Sequence, residues 1–511
     1  MVWTINQVLE SVAMQQPRQL AVIDGDQRID YGELRQRVAT MAAWLRLRGI
    51  GKGDKVALQG RNTAAWVVAY YAVLDLGAVA VPVNHKLAAP ETGYILAHSE
   101  SRLWLVDSDL YRPIEGAPQA FALHGGGSDA LPAIDLSGIE ASAPAPAGAE
   151  VQADDLAELM YTSGTTGRPK GCMHSHANIL LAGTGSSLVY GLGPQDRVLI
   201  AMPVWHSFPL NNLLVGTLFV GGTVVLLPEF HPAHFVKAVQ QHRCTLFFGA
   251  PIAYLLALKT VPDFADYDLS SMRVWLYGGG PIDAATARLL SERYRSGQFY
   301  QVFGMTETGP TGTALLPHEQ VSKAGSIGRH AVSGCTVRVM AGPEREAGPG
   351  EIGEIWMRCQ SMMQGYYRDP AATEAAFHRG WYRSGDLARV DEDGYLFIVD
   401  RLKDMIVTGG ENVYSKEVED VLAAHPSVSE VAVIGVPHPE WGESVTAIVV
   451  PREPASVTLE EVQAFCQERL AKYKVPRRLQ LVQALPRTPT GKVMKYLLRQ
   501  QAAPGEAASR A

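Results

Sequence analysis

A chain of 511 residues, 47% hydrophobic and 19% charged, has the composition of an ordinary globular protein and is too long for one core, since single cores stop growing at roughly 250–300 residues. At least two domains are therefore expected. The balance of 45 Lys+Arg against 52 Asp+Glu leaves a net charge of −7, which speaks against a nucleic-acid partner. The opening stretch MVWTINQVLESVAMQQPRQL has no basic region leading into an apolar core, so no signal peptide is read. The most apolar run, residues 213–227, is punctuated by glycines and shorter than the roughly 20 residues of a membrane helix. A cytoplasmic protein without a membrane span is expected. Cys172, Cys244, Cys335, Cys359 and Cys466 are odd in number and never in a CxxC pair, which favours free buried thiols over a disulfide framework or a zinc site.

In YGELRQRVATMAAWLRLRGIGKGD, Leu34, Val38, Met41 and Leu45 recur at helical spacing and Gly49 is the stop. The apolar runs KVALQG and GAVAVPVN flank the helix-like TAAWVVAYYAVLDL, a βαβ pattern that predicts a parallel sheet covered by helices. IEASAPAPAGAEVQADD, residues 139–155, reads as a linker or surface loop. Further runs, RVLIAMPV, GGTVVLLPE, CTLFFGAP and MRVWLYGG, end in Gly or Pro, where ligands of such sheets bind. VDEDGYLF lacks the later ligands of a calcium loop and reads as a hairpin turn. From about residue 403 the pattern restarts as a smaller unit: helix SKEVEDVLAAH, strands EVAVIGVP and VTAIVVP, helix LEEVQAFCQERLAK. The expected fold class is α/β: a large N-terminal domain of helix-covered β-sheets over 1–400 and a small α+β domain over 401–500. Their hinge is at DRLKD, residues 400–404, and a disordered tail covers 501–511.

YTSGTTGRPKG, residues 161–171, is not a Walker A loop, because Gly164 and Gly167 are only three apart and Lys170 follows a proline. TGK at 490–492 is followed by Val493, where Ser or Thr would stand. Glycines still let backbone N–H groups approach phosphate oxygens, and Ser163, Thr165 and Thr166 add hydroxyl donors. That density of donors around one lysine favours a phosphate grip over a solvated loop. His174 and His176 in MHSH lack the company of a metal site and read as polar packing.

Five segments in order, YTSGTTGRPKG, YQVFGMTETG (300–309), WYRSGDLA (381–388), DRLKDMIVTGGENVYSKEVE (400–419) and PRTPTGKVMK (486–495), resemble the adenylate-forming family over nearly the whole chain. That family contains acyl-CoA synthetases, peptide-synthetase adenylation domains and beetle luciferases. The resemblance implies that a carboxylate attacks the α-phosphate of ATP, pyrophosphate leaves, and a thiol, usually that of CoA, captures the acyl-adenylate. Negative charge then builds on the phosphates, which calls for cations and oriented donors. By resemblance Thr162, Ser163, Gly164, Thr165, Thr166, Gly167 and Lys170 cradle the phosphates, Thr306 reaches the α-phosphate, and Glu307 holds magnesium as a hard oxygen donor. Gly278, Gly279, Gly280 and Pro281 form the adenine loop, with Tyr300 and Gly304 in the later motif; Asp386 takes the ribose hydroxyls and Arg401 a further ribose contact.

The same resemblance implies that Lys492 is the catalytic cation, brought in by a mobile C-terminal domain that pivots at Lys403. Gly409 and Gly410 line a narrow passage for pantetheine, and Trp441, Tyr473, Lys474 and Arg477 hold CoA. His206 resembles the aromatic gate of acyl-CoA synthetases, and Trp205, Phe208, Phe248, Tyr254 and Met305 line the acyl pocket. No aspartate lies between 202 and 216 to pair with a substrate ammonium, and no Arg or Lys between 202 and 236 to pair with a second carboxylate. An uncharged fatty, alicyclic or aromatic acid follows, since a buried unpaired ion is costly. The function expected is an ATP- and magnesium-dependent, AMP-forming acyl-CoA ligase of fatty-acid-type metabolism, with a homodimer as the assembly considered. Loading of carrier-protein phosphopantetheine, luciferase-like oxygenation and a non-enzymatic binding role are the alternatives.

Overall fold

The computed structural model describes residues 3–139, 150–162, 169–408, 411–452, 456–487 and 493–502. Two compact units form. The first takes the chain up to Val337 together with Met357–Tyr382, and the second takes Arg338–Trp356 and the chain from Arg383 onward.

The first unit is built on two sheets. In a nine-stranded sheet the strands Phe299–Gly304, Val274–Gly278, Leu246–Gly249, Arg197–Ile200, Thr223–Leu226 and Leu20–Asp24 lie side by side in that order, each pair parallel. These are the apolar runs ending in Gly or Pro, and their burial on both faces is what parallel sheets require. Antiparallel strands Gly312–Leu315 and His330–Ala331 close one edge, and Gln27–Asp30 the other. A seven-stranded sheet runs Gly365–Tyr366, Lys170–Ser175, Leu156–Thr162, Val79–Pro82, Lys55–Gln59, Ser101–Val106, Gln119–Ala122.

The helix Ala64–Asp75 begins where the Thr63 hydroxyl accepts from the Trp66 N–H, and from Trp66 to Leu74 every side chain is buried. A helix apolar all round must be enclosed; it packs on Leu20–Asp24 of the first sheet and on Lys55–Gln59 and Val79–Pro82 of the second. The helix Tyr31–Leu47 buries Leu34, Val38, Met41 and Leu45 and stops just before Gly49 at φ 76°. A core cluster around Phe235, Phe247, Tyr254, Trp275 and Tyr294 backs the nine-stranded sheet. Residues 208–219, which join the end of the expected pocket segment to the apolar run 213–227, wind as a π-helix Phe208–Val215 continuing into an α-turn Gly216–Phe219. Among the described residues no helix is long and apolar enough to cross a membrane.

In the second unit the strands Val428–His438 and Gly442–Pro451 form a long antiparallel pair, extended by Ile406–Thr408, Glu411–Val413 and Arg478–Leu481. Helices Ser415–Ala423 and Leu459–Gln467 cover it through Val418, Leu422, Val462 and Cys466. The VDEDGYLF turn is a hairpin turn: Asp391 Oδ1 accepts the Asp393 and Tyr395 N–H groups between antiparallel strands Trp381–Val390 and Leu396–Arg401.

The cysteines correct the sequence reading. Cys172, Cys244 and Cys466 are free and buried, but Cys335 and Cys359 are joined as a disulfide with Cα atoms 4.0 Å apart. They sit on separate strands, Cys335–Gly342 and Ile352–Cys359, so strand pairing unites residues that spacing along the chain leaves unrelated.

Candidate active site

In the first unit several of the residues expected at the site follow the carboxyl ends of parallel strands, where open α/β sheets bind ligands, while Lys170 and Tyr366 stand on antiparallel strands of the seven-stranded sheet. Strand Val274–Gly278 ends in the glycine loop. Gly278 is pressed against Val302, whose carbonyl oxygen a Cβ would meet at 3.0 Å, while Gly279 has φ 84° and opens onto free space. The two positions favour glycine for separate reasons, close approach at Gly278 and a left-handed backbone at Gly279. The neighbouring strand carries Tyr300, half-buried and edge-on to Tyr190 with ring centres 5.8 Å apart. Beyond its end, Thr306–Thr308 is a 3₁₀ turn fixed by the Thr308 hydroxyl, which donates to the carbonyls of Met305 and Thr311.

Glu307 and Lys170, expected as the metal ligand and a phosphate cation, share one tyrosine. The Tyr366 hydroxyl donates to Glu307 Oε1 at 3.0 Å, and Lys170 Nζ lies 4.9 Å from the centre of the same ring. Burial and the Glu307 charge hold the Tyr366 phenol well above its ordinary pKa, so it is a donor at any working pH. A cation over a ring face and a carboxylate at its hydroxyl keep opposite charges near each other without quenching them in a direct pair. His174, fully buried, has its pKa lowered to about 4 by burial, which the neighbouring Thr306 backbone opposes. His176 is also buried and its Nδ1 accepts the Ile5 N–H at 3.4 Å, whereas both ring nitrogens of His174 are without a hydrogen-bond partner among the described residues.

The segment before the π-helix carries Trp205 and His206, two of the residues expected to line an acyl pocket. Trp205 and His206 stack with ring centres 4.2 Å apart and planes at 29°. Next to them the Ser207 and Thr306 hydroxyls share a hydrogen bond of 3.1 Å. Phe208 and Phe248 meet at 4.5 Å, and Met305 is half-buried at the base of the threonine turn. Tyr254 is a correction. It is fully buried, with its hydroxyl on the Leu276 carbonyl at 2.5 Å and its ring among Phe247, Trp275 and Tyr294, so it belongs to the core behind the sheet rather than to a lining. Behind the π-helix, Glu158 is buried with one oxygen on the Tyr70 hydroxyl at 2.5 Å and the other on the Asn211 amide at 3.0 Å. Burial raises its pKa to about 7.

In the second unit Asp386 and Arg401 face each other across the hairpin, with Nε 3.1 Å from Oδ1. Asp386 is 6% exposed. Gly385 N–H and Arg383 hold the two oxygens of Glu354 beside it. Lys403 has its pKa lowered by burial and then by Arg401. Arg477 lies 4.5 Å over the Trp441 ring and donates to the Thr408 hydroxyl at 2.7 Å, whereas Lys474 is engaged by the Glu417 carboxylate at 2.7 Å beside Tyr473. Ser163, Gly164, Thr165, Thr166, Gly167, Gly409, Gly410 and Lys492 lie outside the described residues.

Residues that sequence reasoning missed are Ser207, Tyr366, Glu158 and His85, whose ring accepts the Trp205 indole N–H at 3.2 Å. Their partners are far along the chain, so no local pattern marks them. Among the described residues no group of three His, Cys, Asp or Glu could hold a metal by itself.

The chain matches the family model for the AMP-binding enzyme over residues 9–367 and that for the AMP-binding enzyme C-terminal domain over 417–492. A feruloyl-CoA synthase of Amycolatopsis is 40% identical over 493 residues, 96% of this chain and 97% of that protein. The long-chain-fatty-acid–CoA ligase FadD13 of Mycobacterium tuberculosis is 36% identical, covering 97% of this chain and 98% of its own. Among solved structures, the o-succinylbenzoate coenzyme A synthetase MenE of Bacillus subtilis, in complex with ATP and magnesium ion, superposes with a TM-score of 0.84 at 32% identity, over 97% of this chain and 98% of that one.

Proposed function

The chain belongs to the family of AMP-binding enzymes, and from that premise we propose that it is an ATP-dependent, AMP-forming acid–thiol ligase that joins an uncharged fatty, alicyclic or aromatic carboxylic acid to CoA. The observation that carries this reading is the tyrosine shared by Glu307 and Lys170, beside a Thr306 tied by Ser207 to the pocket segment. The substrate carboxylate oxygen forms a bond to the α-phosphorus and pyrophosphate leaves. The thiol sulfur then bonds the acyl carbon and AMP leaves. Thr306 donates to the α-phosphate, Lys170 offsets phosphate charge, Gly279 and Gly280 leave room for the adenine beyond the tightly packed Gly278, and Asp386 with Arg401 takes the ribose. Lys492 serves the first half-reaction, and the 409–410 segment with Trp441 and Arg477 the second, with the 401–500 domain turning at Lys403 between them.

Magnesium fits the donor set. A single carboxylate, Glu307, with phosphate oxygens completing the sphere, is how that ion is commonly held, and no all-protein cage stands among the described residues. When bound it would neutralise charge on the departing pyrophosphate. The pocket side presents Phe208 against Phe248 and no cation between 202 and 236, which supports an uncharged acyl group.

The test is pyrophosphate release with ATP and magnesium across fatty, alicyclic, aromatic and dicarboxylic acids, with and without CoA, and products identified by mass. An acyl-CoA from one uncharged acid class is expected. Adenylate without a CoA thioester would point to a carrier protein or an oxygenase, and preference for a dicarboxylate would overturn the pocket reading.

A further inference from the structure

The first unit contains a polar chain, running through the buried His85, that the proposed reaction does not use. The Trp205 indole N–H reaches His85 Nδ1 at 3.2 Å, His85 Nε2 meets Glu229 Oε1 at 3.1 Å, and Arg61 Nε lies 3.5 Å from the same Glu229 oxygen. Arg61 is in turn 2.9 Å from Asp109. The His85 side chain is 3% exposed although Glu229 and Arg61 reach solvent. His85 comes from the loop after strand Val79–Pro82 of the seven-stranded sheet, and Glu229 from the loop after Thr223–Leu226 of the nine-stranded one.

We propose that His85 is a positioning residue for the pocket gate: by accepting the Trp205 N–H it fixes the indole face on which His206 stacks. The inference rests on the ligase reading for the meaning of the gate, but the tether itself rests only on geometry.

An indole nitrogen is a donor only, so Nδ1 must be the acceptor, and the ring proton then sits on Nε2 and donates to Glu229. Glu229 therefore selects the tautomer that Trp205 needs. The charged groups facing the ring are Glu229, Lys86 and Arg61; burial lowers the imidazole's pKa from its ordinary value, Glu229 opposes that, and Lys86 and Arg61 add to it, which keeps the ring neutral and Nδ1 free to accept. His206 is thus flanked by two tethers: Trp205 to His85 on one side, and Ser207 to Thr306 at 3.1 Å on the other. A side chain stacked on a fixed face and rooted in a fixed backbone has few orientations left. It can hold an acyl group against the Thr306 turn and keep water from the acyl-adenylate.

The test uses the full chain with ¹⁵N-labelled histidine, His85→Phe, Trp205→Phe and the double variant. The ¹⁵N spectrum is expected to show His85 unprotonated at Nδ1 and protonated at Nε2, and His85→Phe to move the His206 ring resonances. Each single variant should raise KM for the carboxylate about fivefold, the size of one net hydrogen bond, and raise AMP released per thioester formed, with kcat nearly unchanged. The double variant should be no worse than either single one, because both remove the same bond. Additive losses, a protonated Nδ1, or His206 resonances indifferent to His85→Phe would overturn the tether. If His85→Phe fails to fold, His85→Asn replaces it, with the amide oxygen as acceptor, and should restore part of the coupling in a folded protein; no coupling there would count against the proposal. Should the wild-type protein release no pyrophosphate with any acid, the ligase reading falls while the spectroscopic arm still decides the tether.

Discussion

Three carboxylates show how differently one chain can treat the same group. Glu307 is half-buried and held by a neutral phenol at 3.0 Å; Asp386 is nearly buried and faces a guanidinium at 3.1 Å whose side chain is 47% exposed; Glu158 is fully buried between a phenol and an amide. A neutral donor orients a carboxylate and leaves its charge for an incoming cation. An exposed cation stabilises the charge, yet water screens the pair and the bond exchanges readily for a ligand hydroxyl. Complete burial among neutral donors pushes the group toward its protonated form, which suits structure and not binding.

Breaking Glu307 should cost most. Glu307→Ala is expected to lower kcat/KM for carboxylate-dependent pyrophosphate exchange by roughly 10³, the loss of one preorganised electrostatic contact. Tyr366→Phe, which keeps the ring face for Lys170 and removes only the hydroxyl, should cost about tenfold or less. Equal losses in both would mean that Tyr366 does more than orient.

Glu158 sharpens the opposite end of the comparison. Its folded-state pKa of about 7 stands above the ordinary 4.5, so the folded chain holds the proton more tightly than the unfolded one. That contribution is complete below pH 4.5 and is lost as the pH rises through about 7. In Glu158→Gln the neutral side chain keeps the Tyr70 bond, and a flip of Asn211 can bring its otherwise unpartnered Oδ1 to the new amide. Thermal unfolding followed from pH 5 to 8 should show a declining wild type and a flatter variant, with the variant ahead by about 3 kcal/mol at the alkaline end. Parallel curves would show that Glu158 is charged throughout.

The strands were largely legible because they depend on a local pattern, apolar runs ending in glycine that mark buried parallel strands, whereas the loop TSGTTG, expected to grip phosphate, lies outside the described residues from Ser163 to Gly167. Tyr366, His85, Ser207 and Glu158 were not legible. Tyr366 is 59 residues from Glu307, His85 is 120 from Trp205, and Glu158 is 53 from Asn211; such partners meet only after the sheets have assembled. The Cys335–Cys359 pair, 24 residues apart, was missed for the same reason. Tyr254 shows the converse error: an aromatic residue beside a glycine loop looks like a lining residue, whereas a hydroxyl satisfied by two backbone carbonyls anchors it in the core.

For the second carboxylate, Asp386→Asn should raise KM for ATP about thirtyfold, since hydrogen bonds to a charged acceptor are worth roughly 1.5–3 kcal/mol. Its partner should matter less and differently. Arg401 stands half in solvent, where an ion pair contributes roughly 0.2–1 kcal/mol, so Arg401→Ala should raise KM for ATP only about threefold to fivefold at low salt. Because the Debye length falls from about 30 Å at 0.01 M to about 10 Å at 0.1 M, that difference should shrink as salt is added, whereas the Asp386→Asn defect, a loss of directed hydrogen bonds at a buried group, should persist. Measuring ATP affinity of both variants over that range separates the two contributions. A salt-insensitive Arg401 defect as large as that of Asp386 would mean that the ribose contact of the guanidinium outweighs its part as counter-charge for the carboxylate across the hairpin.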